Sequence, residues 1–147
     1  MKKIYIYADG ACSCNPGAGG WGSILIYNNK EKEISGYEEY TTNNRMEITA
    51  VIKALQLVKG KCDISIYSDS AYVCNAFNEK WIDKWQNNKW RNSTKKPVLN
   101  LYLWQELVSL LSNHKYEFIK VKGHADNEYN NRCDKLATTA IANKKRG

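Results

Sequence analysis

The chain has 147 residues, enough for one domain that buries its own core, and it carries a net charge of +7. Its five cysteines, Cys12, Cys14, Cys62, Cys74 and Cys133, are odd in number, include no CxxC pair and have no histidine at finger spacing, which argues against a disulfide framework and a zinc site. No stretch approaches a membrane span, and "MKKIYIYADG" lacks the long apolar segment of a secretory leader, so a reduced, cytoplasmic protein is expected.

The first predicted element is a strand in which Ile4, Ile6 and Ala8 alternate with Tyr5, Tyr7 and Asp9, ending at the acid. A glycine- and cysteine-rich stretch, "GACSCNPGAGGWG", follows. Its glycines lack the order GxxxxGK[ST], and the next element reads as a strand, which excludes a phosphate-cradling P-loop. Strands over Trp21 to Tyr27 and Glu33 to Tyr40, with "NNKEK" between them, complete an antiparallel meander. The period then changes to three and four at Met46, Ala50, Val51, Ala54, Leu55 and Val58, which predicts a helix from about Asn43 to Val58, ended by Gly60. "CDISIYSDS" is a fourth strand ending near Asp69, followed by a short helix from Ser70 to Phe77. Between Lys84 and Lys96 lie five basic residues and no acid, interleaved with Trp85 and Trp90 and preceded by Trp81. Cations for phosphates and rings for sugars or bases suit a polyanion, although such a run also suits a solvated face over packed tryptophans. Pro97 is expected to open a helix through about Leu111, "YEFIKVKG" is the fifth strand, and a closing helix presents Cys133, Ala137, Ala140 and Ile141 on one face before a frayed basic tail. With no internal repeat or long linker, one α/β domain over residues 1–143 is the economical reading, with residues 144–147 as the tail.

Four acids stand out against this pattern. If the Asn43 helix is the crossover between parallel neighbours, Asp9 and Asp69 lie on one sheet edge about 4.8 Å apart, beyond the strand ends where open α/β sheets place ligands. Each acid alone has a plainer reading. Asp9 suits an Asx-turn, Asp69 a helix N-cap, Glu47 a first-turn acid or a capping box with Asn44, and Asp134 a surface position near Arg132 and Lys135. One hypothesis covers all four: carboxylates converging on hard divalent cations, two of which about 3.5–4 Å apart would flank a scissile phosphate.

The motifs "DGACSCNPG", "TTNNRMEITA", "SDSAYV", "WQNNKWRNSTKKPVLN" and "KGHADNEYNNRCD" resemble, in type and order, those of type 1 ribonuclease H of the bacterial form, over essentially the whole chain. The resemblance implies the ribonuclease H-like α/β fold, a five-stranded mixed sheet with helices on both faces and a basic protrusion at about residues 81–100. It also implies endonucleolytic hydrolysis of the RNA strand of an RNA–DNA hybrid, leaving 5′-phosphate and 3′-hydroxyl ends. Asp9, Glu47, Asp69 and Asp134 match the metal-binding carboxylates, with Mg2+ expected and Mn2+ as a substitute, and His124 matches a histidine that assists water activation or product release. Asn15, Asn43 and Asn44 match minor-groove readers, Thr42 and Asn100 a pocket for a DNA-strand phosphate, and Tyr72, Trp81, Trp85 and Ser93 a DNA-binding channel. Two positions depart from some relatives: Ala71 replaces a longer side chain and Tyr40 an arginine at the phosphate pocket. A separate amino-terminal hybrid-binding domain is not expected, and a monomer is. Competing classes are a non-catalytic nucleic-acid module, whose signature would be loss of an acid, and another nuclease or DNA-integrating enzyme on the same fold.

Overall fold

The computed structural model describes residues 1–122 and 127–146, and His124 lies outside them. Its strands are β1 (Lys2–Cys12), β2 (Gly17–Tyr27), β3 (Lys30–Thr41), β4 (Cys62–Ser68) and β5 (Lys115–Lys120). Its helices are α1 (Asn43–Leu55), α2 (Ala71–Asn78), α3 (Trp81–Asn87), α4 (Leu101–Leu111) and α5 (Glu128–Arg146). The five strands form one sheet in the order β3-β2-β1-β4-β5. The first three are antiparallel, while β1–β4 and β4–β5 are parallel.

Alternation of side chains along each strand sends Ile4, Ile6 and Ala8 to the face covered by α1, where Ser23, opposite Ala8, donates through Oγ to the Ala50 carbonyl at 2.6 Å. Those residues join the main core with Val51, Leu55, Ile64, Ile66, Val73, Trp104 and Leu107. The opposite pleat phase of β2 packs on α5. There Gly20 and Gly22 lie so close to the helix that a Cβ on either would meet the backbone carbonyl of Ala137 or Cys133. Gly20 and Gly22 are therefore strand residues that admit a helix backbone. Ile24, Cys133 and Ala137 are buried at this second interface.

Several boundaries differ from the sequence expectation. β1 does not end at Asp9 but runs on to Cys12, because the antiparallel pairing with β2 continues from Asp9↔Gly22 to Cys12↔Gly19 after the parallel pairing with β4 has stopped at Tyr7↔Tyr67. The β2–β3 turn is only Asn28–Asn29, both at positive φ (49° and 64°), as a two-residue hairpin requires. Helix α1 ends at Leu55, three residues before Val58. Pro97 does not open a helix. It pairs with Arg91 in an isolated bridge, and α4 starts only after Asn100, which adopts a left-handed conformation (φ 61°). Helix α3 was hidden in the basic segment because Asn87, Asn88 and the charges around it break the apolar period. α5 continues through the expected frayed tail as far as Arg146. His114 is half-buried and accepts from the Cys62 N–H through Nδ1 at 3.1 Å. All five cysteines are free thiols.

Candidate active site

Asp9 sits two residues beyond the last parallel β1–β4 pair, and Asp69 follows the last residue of β4. Glu47 is on the first turns of α1, which reaches this edge because Gly10 has no side chain: a Cβ there would meet the backbone of Met46 and Glu47 at 2.5 Å. Carboxylate oxygens of Asp9, Glu47 and Asp69 all lie within 4.8 Å of one another. Asp9 is 5% and Glu47 8% exposed.

The plainer readings of three acids do not hold. The N-cap of α2 is Ser70, whose Oγ accepts from Val73 N–H at 3.2 Å, which leaves Asp69 uncommitted to capping. The N-cap of α1 is Thr42, accepting from Arg45 N–H at 3.2 Å, so Asn44 forms no capping box with Glu47. Asp9 forms no Asx-turn either: its Oδ1 accepts from the next residue, Gly10 N–H, at 2.9 Å within the continuing strand, and the same N–H also donates to Glu47 Oε1 at 2.6 Å.

Burial pushes the Asp9 carboxyl up to about 7, with the charges of Asp69 and Asp134 adding to it and the hydrogen bonds from Glu47 and the Gly10 N–H opposing. Glu47 is raised well above the usual carboxylate range, first by burial and then by the charge of the adjacent Asp9. No lysine or arginine pairs with any of the three acids among the described residues. Buried carboxylates with no counter-charge, offering only oxygen donors, fit a hard divalent cation. Asp134 is exposed on α5 and stands outside the triad, close enough only to raise Asp9 electrostatically.

The predicted substrate residues border this edge. Asn15 Oδ1 accepts from the Asn43 N–H at 3.2 Å, joining the β1–β2 loop to the N-terminus of α1, with Asn15, Asn43 and Asn44 exposed. Asn100 donates through Nδ2 to the Tyr72 hydroxyl at 3.2 Å, and Trp104 Nε1 donates to the same oxygen at 3.2 Å. Tyr72, Trp81, Trp85 and Trp104 form a continuous ring cluster, with centroids 5.2 Å apart for Tyr72–Trp104, 5.6 Å for Trp85–Trp104 and 6.2 Å for Trp81–Trp85. The half-buried tryptophans thus pack together and still border solvent. Lys84, Lys89, Arg91, Lys95 and Lys96 are all exposed around them, as is Ser93.

Sequence reasoning missed Arg45, whose Nη1 donates to Asn100 Oδ1 at 3.4 Å. It lines one cleft together with Tyr40, which is 75% exposed. The only sequence signal was its place in the first turn of α1, among the matched asparagines.

The family described as RNase H matches residues 1–142. The chain belongs to the ribonuclease H family. A ribonuclease H of Acetivibrio thermocellus is 61% identical over 141 residues, covering 96% of each chain, and one of Chlorobaculum parvum is 58% identical over 140 residues, covering 95% of this chain and 96% of its own. Among solved structures, LC9-RNase H1, a type 1 ribonuclease H with the type 2 active-site motif, superposes with a TM-score of 0.87 at 28% identity, over 97% of this chain and 74% of its own. LC11-RNase H1, solved in complex with RNA/DNA hybrid, shares the fold with a TM-score of 0.72 at 23% identity, over 97% of this chain and 99% of its own. As a ribonuclease H the chain is a metal-dependent hydrolase, and among the described residues the acidic triad of Asp9, Glu47 and Asp69 is where a metal fits.

Proposed function

We propose that this ribonuclease H hydrolyses the RNA strand of RNA–DNA hybrids endonucleolytically by a two-metal mechanism, leaving 5′-phosphate and 3′-hydroxyl ends. The observation that carries the reading is the triad of buried Asp9 and Glu47 with half-buried Asp69, which no lysine or arginine pairs among the described residues, on a chain that also exposes an asparagine cluster and a basic, aromatic protrusion. Asp9, Glu47, Asp69 and Asp134 hold the ions, Mg2+ by preference with Mn2+ as a substitute. When bound, the ions supply charge neutralisation at the scissile phosphate and lower the proton affinity of the attacking water. In balance, water adds to phosphorus, the P–O3′ bond breaks, and the departing 3′-oxygen takes up a proton.

The chain's own groups do the rest. The Gly10 N–H donates to both Asp9 and Glu47 and holds the two carboxyl groups side by side. Asn15, Asn43 and Asn44 face the minor groove, where amides meet base edges and the 2′-hydroxyl that distinguishes RNA from DNA. Thr42 and Asn100 grip a phosphate of the DNA strand, while Tyr72, Trp81, Trp85 and Ser93 line its channel. His124 carries protons for water activation or product release. Residues 1–143 act as one catalytic domain, with the protrusion at about 81–100 and a basic tail at 144–147. All acids reside on one chain, which supports a monomer, and five free thiols support a reducing, cytoplasmic setting.

Asp9→Asn tests the metal role. The expected result is a fall of about 10³-fold or more in Mg2+-dependent cleavage, since charge stabilisation at the phosphate is lost, with an unchanged fold by circular dichroism. Removing one of the crowded acids also relieves repulsion, so the variant melts at or above the wild-type temperature without metal. Full activity in a folded Asp9→Asn protein contradicts the reading.

A further inference from the structure

Three stacked tyrosines join the elements that carry three of the four proposed ligands. The ring of Tyr7 lies on that of Tyr67 with centroids 4.5 Å apart and an interplanar angle of 11°, and the ring of Tyr129 lies on Tyr7 at 4.8 Å and 24°. Tyr7 is two residues before Asp9 on β1, and Tyr67 is two residues before Asp69 at the end of β4. In strands that spacing keeps successive side chains on one face. Tyr129 lies on the first turn of α5, the helix that carries Asp134.

The α5 end of the stack is fastened from three sides. Tyr129 donates through its hydroxyl to Glu31 Oε2 at 2.6 Å. Arg132 divides its guanidinium between Glu31 Oε1 at 3.0 Å and Glu33 Oε2 at 2.9 Å, while the same cation lies 5.3 Å from the Tyr129 ring centre. Asn127 Oδ1 accepts from Asn130 N–H at 3.0 Å. These groups lie apart from the main hydrophobic core, which does not include Tyr7, Tyr67 or Tyr129.

Asp134 is the acid left outside the triad, so its distance from Asp9 depends on where α5 rests on the sheet. We propose that the Tyr129–Tyr7–Tyr67 stack, clamped by Arg132, is a positioning device that sets the approach of Asp134 to the Asp9–Glu47–Asp69 triad. Flat rings fix a separation that flexible aliphatic chains do not, and the same rings report to β1 and β4 at once. The proposal rests on the reading of Asp134 as the fourth metal ligand.

The test is Mn2+ binding to the full chain without nucleic acid, followed by the electron paramagnetic resonance signal of free Mn2+, for Tyr129→Leu, Tyr129→Phe, Asp134→Asn and the Tyr129→Leu/Asp134→Asn double variant. Tyr129→Leu is expected to weaken Mn2+ binding by about tenfold, the scale of a lost supporting contact behind a ligand, whereas Tyr129→Phe, which keeps the ring and loses the Glu31 bond, binds as the wild type does. In the Asp134→Asn background Tyr129→Leu adds nothing further, because its effect passes through Asp134. Wild-type affinity in Tyr129→Leu beside weakened Asp134→Asn overturns the proposal alone, as does an equal loss in both backgrounds. Wild-type affinity in Asp134→Asn overturns the fourth-ligand reading and the proposal with it. Should Tyr129→Leu fail to fold, Arg132→Ala loosens the same clamp from the surface and is read by the same outcomes.

Discussion

At the scale of single residues, one backbone donor orders the site: the Gly10 N–H serves Asp9 at 2.9 Å and Glu47 at 2.6 Å. Asp9, at about 7 instead of its ordinary 3.8, keeps its proton in the folded state through a range where the unfolded chain has released it. The folded state therefore binds more protons between about pH 4 and 7, so this group's stabilising contribution is present at low pH and is lost as pH rises through about 7. Thermal melts without metal are expected to show this fall, and Asp9→Asn to flatten it. Metal must displace the same proton, so half-maximal activation requires more Mg2+ at about pH 6 than at about pH 8, which a titration of cleavage rate checks. Asp9 and Asp69 were legible in the sequence because each follows a short alternating run. That Glu47 joins them was legible only through the family motif, since a first-turn acid on a helix has an ordinary explanation. The bridging role of the Gly10 N–H was not legible at all, because it depends on how closely α1 approaches β1.

At the scale of elements, the strands and the two long helices followed from periodicity, whereas the protrusion did not. Trp81 and Trp85 stand four apart, a helical spacing, but α3 is only seven residues long, and the rings these two meet, Tyr72 and Trp104, lie on other helices. The left-handed conformation of Asn100 holds back the start of α4 and presents its side chain to both Tyr72 and Arg45. Arg45 there lines one cleft with Tyr40. Arg45→Ala is expected to raise KM for hybrid several-fold with kcat nearly unchanged, and to lower the slope of log affinity against log salt by about 0.9, the value of one phosphate contact. Steady-state kinetics and binding at several salt concentrations check it. The contact of β2 with α5 makes a different demand. Gly20→Ala puts a methyl group against the Ala137 carbonyl and is expected to cost about 1–3 kcal/mol in urea unfolding, the usual range for overpacking.

For the whole molecule, the sheet order β3-β2-β1-β4-β5 puts β1 at the centre, antiparallel on one side and parallel on the other. That change of direction leaves Asp9 at the end of the parallel part, where α1, β4 and α5 all come near. The meander, crossover helix and closing helix were readable from the sequence as α/β, but where α5 rests on the sheet depends on tertiary contacts, among them Gly20 and Gly22 against its backbone and Tyr129 and Arg132 against Glu31 and Glu33. Charge and chemistry then divide the surface, with exposed lysines and Arg91 on the protrusion and exposed asparagines beside the acids. The most direct measurement offers the protein an end-labelled RNA–DNA hybrid, double-stranded RNA, double-stranded DNA and single-stranded RNA, each with Mg2+ and with chelator. Cleavage of the RNA strand of the hybrid alone, abolished by chelator, is the expected result. Equal cleavage of single-stranded RNA, or cleavage that persists in chelator, would contradict the account.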